Sequence, residues 1–455
     1  MNQEAFIFFH LQHHPVLSFI PLFLQEYKDA ELFLVGGAVR DLLLKKKEVV
    51  DFDFVIRNLP REELERWFQK KGTINLVGQH FGVYKFIPHG FSASEIECID
   101  IALPRTEKGV KESLGGYRDF DIQSDSTLSI EKDLERRDFT INAMAFDLRQ
   151  QTLIDPFNGR GDLAQKQLRA VGNPTERFGE DLTRLLRGLR LASELELTIE
   201  HQTSLAIKEL FPEINKTRTV DEKKEYVVSR ETIGIELAKA FVSNPIRAIK
   251  ECHLHNVFSC LFPNVQAVLE KKTSYLEPLL EIQPNELTVV IALLMRELTA
   301  SEIRETFLLA GLNTLPREKF SLDPDNVVWL IEHLKQFSTP EEISKIRASI
   351  FEKQFMNGRG KILIRCLELL KQETIVASIN NRIKKIRTRW LVDENESIAP
   401  LLSGQDILAQ GIKPGPMIRQ WLDCIRDLQL EGVLMRREQA LHWLKEELKQ
   451  SKIPQ

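Results

Sequence analysis

The chain has 455 residues, 43% of them apolar and 28% charged, and carries a net charge of −4. That length and balance suit a soluble protein of three or four modules with several buried cores, while the near-neutral charge neither marks nor excludes a nucleic-acid partner. Five scattered cysteines, Cys98, Cys252, Cys260, Cys366 and Cys424, show no Cys-x-x-Cys spacing, which argues against structural zinc and for a reducing, cytoplasmic compartment.

Within the first 29 residues the run Phe6 to Leu24 is apolar and free of formal charge. His10, Gln12, His13, His14, Pro15 and Pro21 interrupt the run, and no basic segment precedes it. One or two short helices packed on the first domain are therefore expected, and neither a signal peptide nor a membrane span.

Leu32–Val35 is apolar enough for a buried strand, and Gly36-Gly37 then allows a sharp turn and a close approach to a ligand. A helix is expected over Ala38–Leu44. Backbone N–H groups at its start, together with Arg40, suit a triphosphate. The spacing is Gly-Gly-x-x-Arg, so a dinucleotide-binding fingerprint is disfavoured.

The second expected strand, Val49–Ile56, puts Asp51 and Asp53 on one face and Phe52 and Phe54 on the other. Paired carboxylates of this kind are either solvated at a strand end or hold a cation between them, and the preceding glycine turn favours the second reading. Mg²⁺, which takes hard oxygen ligands and completes its shell with phosphate oxygens and water, is the expected ion.

Further strands are expected at Ile74–Val77, Val83–Ile87, Ile96–Leu103 and Ala143–Leu148. Asp100 on the third of these is a candidate additional carboxylate. Arg105–Ser129, with Gly109, Gly115, Gly116 and alternating charges, has the composition of a mobile loop. Arg136, Arg137 and Asp138 follow. This segment is either a solvated helix start or a rigid ion-paired element whose Arg137 is free to reach phosphate.

From about residue 160 helical patterns dominate, so the organisation is α+β: an α/β head with a small mixed sheet, then an extended all-helical remainder. Leu182, Leu185, Leu186 and Leu189 form the buried stripe of one helix. Asp181 and Arg184 lie one turn apart on its other side, with Arg187 and Arg190 continuing the row. An exposed ion-paired helix face competes with a base-reading row beside a triphosphate site. Cys252, His253, His255 and Cys260 are close together, but their apolar neighbours indicate a core helix and not a metal site. Lys216–Tyr226, Leu312–Asp325 and Asp393–Pro400 are plausible joints. The basic tract Asn381–Arg389 is either a solvated helix face or a phosphate-gripping surface.

Gly36-Gly37-x-x-Arg40, Asp51-x-Asp53, Arg136-Arg137-Asp138-Phe-Thr-Ile-Asn142 and Glu180-Asp181-x-x-Arg184 together resemble the successive motifs of the class II CCA-adding tRNA nucleotidyltransferases, a family that includes bacterial poly(A) polymerases. The resemblance runs in order over residues 30 to 260. Leu402–Leu408 and Gly411–Pro416 are similar to the family's carboxy-terminal tRNA-holding region.

The resemblance implies a helical lead (1–29), a catalytic nucleotidyltransferase head (30–148), a base-selecting neck (149–225), a helical body (226–325) and a tRNA-binding tail (326–455). It implies metal on Asp51 and Asp53, and Asp100 is the candidate for an additional catalytic carboxylate near the attacking oxygen. It implies Gly36, Gly37, Arg40 and Arg137 around the phosphates and sugar, and Asp181, Arg184, Arg187 and Arg190 around the base. Arg382, Lys384, Lys385, Arg387 and Arg389 are the candidate RNA contacts. The implied reaction adds C and A from CTP and ATP to the 3′ end of tRNA with Mg²⁺, without a membrane or an evident protein partner. Family members that add only CC are expected to have a shortened Arg105–Ser129 loop, and this one is of full length. A-only, CC-only and poly(A) addition remain alternatives, as does a silent RNA-binding protein, which would be expected to have lost a metal carboxylate.

Overall fold

The computed structural model describes residues 2–46, 48–77, 82–109, 115–116, 120–220, 222–393 and 396–450. The chain forms two compact units, one of residues 1–263 and 308–315, the other of residues 264–307 and 316–455. The expected body segment, 226–325, is divided between them.

The first unit opens with α1 (Gln3–His13) and α2 (Phe19–Glu26). Both pack on the head as expected, with Ile7, Leu11, Phe19, Ile20 and Phe23 buried and Phe9 and Leu22 exposed: Phe19 meets Phe54 edge-on at 6.0 Å, and Phe23 meets Trp67 at 5.1 Å. The two segments are bent by 85°, and no single helix among the described residues is long and apolar enough to cross a membrane.

β1 (Glu31–Val35) leads through Gly36 into α3 (Gly37–Leu43), then β2 (Asp53–Arg57), α4 (Arg61–Gln69), β3 (Gly72–Val77), β4 (Val83–Pro88) and β5 (Ile99–Ala102). After β6 (Arg105–Gly109) and β7 (Phe120–Ser124) come α5 (Ile130–Glu135), β8 (Ala145–Asp147) and β9 (Thr152–Ile154). Seven strands form one sheet in the order β3-β4-β5-β2-β1-β8-β9, with β2 and β5 parallel and the other neighbours antiparallel. The small mixed sheet is thus as expected. Its parallel register sets Asp53 beside Asp100, and the β4–β5 register sets Lys85 opposite Asp100.

Two expectations need correction here. Asp51 is not in a strand: β1 ends at Val35, opposite Asp53, and turns away at Gly36, and on the β5 side the Phe52 carbonyl accepts from the Asp100 N–H (2.9 Å) at the start of the ladder, one residue after Asp51. The Arg105–Ser129 stretch is not simply a loop, because β6 and β7 pair antiparallel from Arg105↔Ser124 to Gly109↔Phe120. Residues 110–114 and 117–119 of that stretch lie outside the described residues.

Helices carry the rest of this unit: α6 (Gly159–Ala164), α7 (Pro174–Glu180), α8 (Thr183–Glu194), α9 (His201–Leu210), α10 (Arg230–Ser243) and α11 (Pro245–Leu254). The expected stripe on α8 is buried. The expected joint at Lys216–Tyr226 is an antiparallel hairpin, Thr217–Val220 with Lys223–Tyr226. Cys252 and His255 lie in the core at the end of α11. His255 bonds Ser204 through Nε2 (2.9 Å) and the Glu251 carbonyl through Nδ1 (2.9 Å).

Every described element of the second unit is helical. Its longest helix, Glu373–Trp390, holds the basic tract, and a C-terminal core gathers Leu402, Ile407, Ile425, Leu434, Ala440 and Leu444.

Candidate active site

One cleft of about 920 Å³ in the first unit is lined by Gly36, Gly37, Arg40, Asp51, Asp53, Asp100, Arg137, Asp181, Arg184, Arg187 and Arg190. All the site residues expected for the head and neck therefore meet. Lys85, Arg105, Arg136, Asp138, Asn142 and Thr183 line the cleft with them.

Gly36 turns the chain with φ 72° and ψ −135°, a conformation that a side chain resists, and a Cβ there would stand 2.9 Å from Arg137 Nη1. The glycine thus makes room for a guanidinium. Arg40 is buried and anchored, its Nε donating to Asp41 Oδ1 (2.8 Å) and its Nη1 to Asn142 Oδ1 (2.7 Å).

Arg137 is not free, as its sequence setting suggested. Its Nη2 donates to Asp133 Oδ2 (3.3 Å) and its Nη1 to the Asn142 carbonyl (3.5 Å), because Asp133, one turn earlier on α5, is wholly buried and draws both neighbouring arginines. Arg137 Nε is buried without a hydrogen-bond partner among the described residues.

Burial, then the charge of Asp51, pushes the Asp53 carboxyl up to about 6, against the pull of Arg137 and Lys85. Burial also raises Asp100, which Lys85 counters with an ammonium 2.6 Å from Oδ1. The mutual repulsion of these acids and their hard oxygen donors fit a divalent cation at Asp51 and Asp53. Among the described residues no three acidic, histidine or cysteine side chains converge on one metal position.

The base-reading row also differs from the expected helix face. Asp181 sits in extended backbone (φ −146°, ψ 105°) on the break between α7 and α8, so it shares no helical face with Arg184. Its Oδ1 accepts from the Thr183 N–H (2.9 Å) and hydroxyl (2.7 Å). Leu182 N–H, on the same break, donates to the Gly115 carbonyl (2.9 Å), which brings Gly115 to this point.

Arg184 is buried, and its Nη1 donates to Glu180 Oε2 (2.7 Å) and the Arg177 carbonyl (2.8 Å). Arg187 Nε donates to Asp138 Oδ2 (2.8 Å), and Arg190 is held by Glu236 and Glu194 (2.7 Å each). Burial would raise Asp138, but Arg187 and the Phe139 N–H bring its carboxyl down to about 2.

Residues 32–169 match the poly A polymerase head domain family. A CCA-adding enzyme of Enterococcus faecalis is 37% identical over 211 residues, covering 46% of this chain and 45% of that relative. One from Pediococcus pentosaceus is 29% identical over 437 residues, covering 92% of this chain and 94% of its own length. The fold matches the crystal structure of the Bacillus stearothermophilus CCA-adding enzyme in complex with CTP, at 21% identity and a TM-score of 0.66, covering 96% of this chain and 99% of that one.

Over its head the chain thus matches the poly A polymerase family, and along most of its length it is similar to CCA-adding enzymes.

Nucleotidyltransferases of this family are metal-dependent. Lys85, Asn142 and Thr183 are among the cleft residues to which sequence reasoning gave no role, and Asp138 was expected only as part of an ion-paired element. Lys85 had a weak signal, a lone charge inside the apolar strand Val83–Ile87. Asp138 and Asn142 stood inside a quoted motif without an assigned partner.

The tail candidates divide. Arg382 donates to the Ile343 and Ile346 carbonyls (2.6 Å each), Arg389 to the Leu430 carbonyl (2.6 Å), and Arg387 to the Asp393 carbonyl. These three tie the second unit together, because helix ends and loops beside Glu373–Trp390 leave carbonyls that guanidinium groups satisfy. Lys384 and Lys385 are exposed.

Proposed function

We propose that this protein is a template-independent tRNA nucleotidyltransferase that adds C and A from CTP and ATP to the 3′ end of tRNA in the cytoplasm. The observation that carries the proposal is the meeting of Asp51, Asp53 and Asp100 with Asp181, Arg184 and Arg187 in one cleft. Curated relatives of near-full-length match are CCA-adding enzymes, and solved neighbours of the same fold include complexes with CTP, ATP and tRNA.

In this reading Asp51 and Asp53 hold the cation, with Mg²⁺ as the ion. When bound, Mg²⁺ supplies Lewis-acid stabilisation of the phosphoryl oxygens and lowers the pKa of the attacking hydroxyl. Arg40 and Arg137, fixed by Asn142 and Asp133, present cationic edges beside the Gly36-Gly37 turn for the phosphates. Asp100 stands beside Asp53, near the attacking oxygen. The primer's 3′-hydroxyl attacks the α-phosphorus in line, and pyrophosphate leaves.

Base choice follows from polarity. Cytosine and adenine each offer an amino donor beside a ring acceptor, which one carboxylate and one guanidinium match. Uracil and guanine present a carbonyl to Asp181 instead, and two opposed acceptors in a desolvated pocket are rejected.

The test is incubation of the purified protein with Mg²⁺, labelled CTP or ATP, and tRNA ending at the discriminator base, at C or at CC. Growth of all three primers to CCA is expected. Growth only from CC would show an A-adding enzyme, and growth of none would overturn the proposal.

A further inference from the structure

We propose that Thr183 is a specificity-determining residue of this site: its hydroxyl locks the Asp181 carboxylate so that one oxygen is engaged inside the protein and the other faces the incoming base. The inference rests on the reading of Asp181 as the acceptor for the base amino group.

A carboxylate oxygen has two lone-pair directions. Both on Asp181 Oδ1 are taken, one by the Thr183 N–H at 2.9 Å and the other by the Thr183 hydroxyl at 2.7 Å. Among the described residues Oδ2 has no recorded donor. Thr183 is 7% exposed, so its hydroxyl has little water to bond instead.

The lock has two consequences. Two bonds to one oxygen fix the carboxylate plane, and a fixed acceptor discriminates an amino group from a carbonyl, where a freely rotating one could turn aside. The same bonds, with the Arg184 charge, work against the burial that raises the Asp181 carboxyl. They favour the ionised form, which only accepts. A protonated Asp181 could donate to the carbonyl of uracil or guanine and so admit the wrong base.

An ordinary helix cap needs less than this. The backbone N–H at the start of α8 would bond Asp181 whatever residue stood at position 183, and Thr183→Val keeps that bond, the β-branch and the volume. Only the hydroxyl is lost.

The experiment measures kcat/KM for CTP, ATP, UTP and GTP on tRNA ending at the discriminator base and at CC, for the native protein, Thr183→Val, Thr183→Ser and Asp181→Asn, with thermal unfolding of each. The expected result is a fall of about tenfold or more in the ratio of correct to incorrect nucleotide for Thr183→Val, restored by Thr183→Ser. If Thr183→Val does not fold, Thr183→Ala is read in its place. An unchanged ratio in Thr183→Val beside a lost one in Asp181→Asn overturns the role of Thr183. An unchanged ratio in both overturns the reading of Asp181. An equal fall for all four nucleotides also overturns the proposal, since it marks a purely structural hydroxyl.

Discussion

Asp138 and Arg187 face each other across the cleft with Nε and Oδ2 2.8 Å apart, and so join the segment after α5 to the middle of α8. The carboxylate is buried and held at about 2, below the ordinary value near 4 of an unfolded chain. A depressed acid stabilises the fold above its unfolded value, and that share is lost as pH falls through the folded one.

The expected contribution of this pair is about 2 kcal/mol at neutral pH, disappearing between about pH 4 and pH 2. Urea unfolding at pH 7, 4 and 2.5 checks it. Asp138→Asn should be less stable at pH 7 and should show a shallower loss toward acid than the native protein. Parallel pH curves would refute the assignment.

Asp53 has the opposite sign. Its folded value, about 6, lies above the unfolded one, so the folded state binds the proton more tightly and stability falls as pH rises from about 4 to about 6. In metal-free protein at pH 8, Asp53→Asn should therefore gain up to roughly 2 to 3 kcal/mol. Asp53→Ala should abolish nucleotide transfer, and retained transfer would defeat the proposed chemistry. Mg²⁺ should raise the melting temperature of the native protein and not that of either variant.

Lys85 acts as an internal cation for the acidic cluster, with its ammonium on Asp100. Removing it in Lys85→Met leaves Asp51, Asp53 and Asp100 to repel one another. The melting temperature without divalent cation should drop, and the rise on adding Mg²⁺ should exceed that of the native protein. An identical rise in both proteins would mean that the lysine and the cation site are uncoupled.

In the tail, burial separates structural arginines from exposed lysines. Arg382→Ala removes two charged bonds to carbonyls and should destabilise the protein by about 2 kcal/mol. Lys384→Ala with Lys385→Ala should leave unfolding unchanged, weaken tRNA binding and lower the slope of log affinity against log salt by roughly 1 to 2. Filter binding at several salt concentrations decides it. An unchanged slope would remove these lysines from the RNA-binding surface.

Local patterns carried much of this structure. Six of the seven strands of the head sheet, the Gly36 turn, the paired aspartates and the leucine stripe of α8 announce themselves within a few residues, where periodicity and turn chemistry operate. What stayed hidden depends on distant partners. Arg187 finds its acid 49 residues earlier, and Lys85 meets Asp100 only because β4 and β5 are neighbours in the sheet. Arg137 looked available until the buried Asp133 was placed beside it. The paired strands β6 and β7 were masked by a composition rich in glycine and charge, since cross-strand hydrogen bonding needs no apolar alternation to form.

The break at Asp181 has a consequence for synthesis on the ribosome. A nascent polypeptide that has emerged as far as β9 already contains Asp51, Asp53, Asp100 and Arg137, yet none of the residues proposed to inspect a nucleobase. In the proposed reading the base-selecting residues arrive later, with α8, whose Arg187 then pairs with Asp138. Until then the growing chain would hold the proposed catalytic carboxylates without the proposed reader.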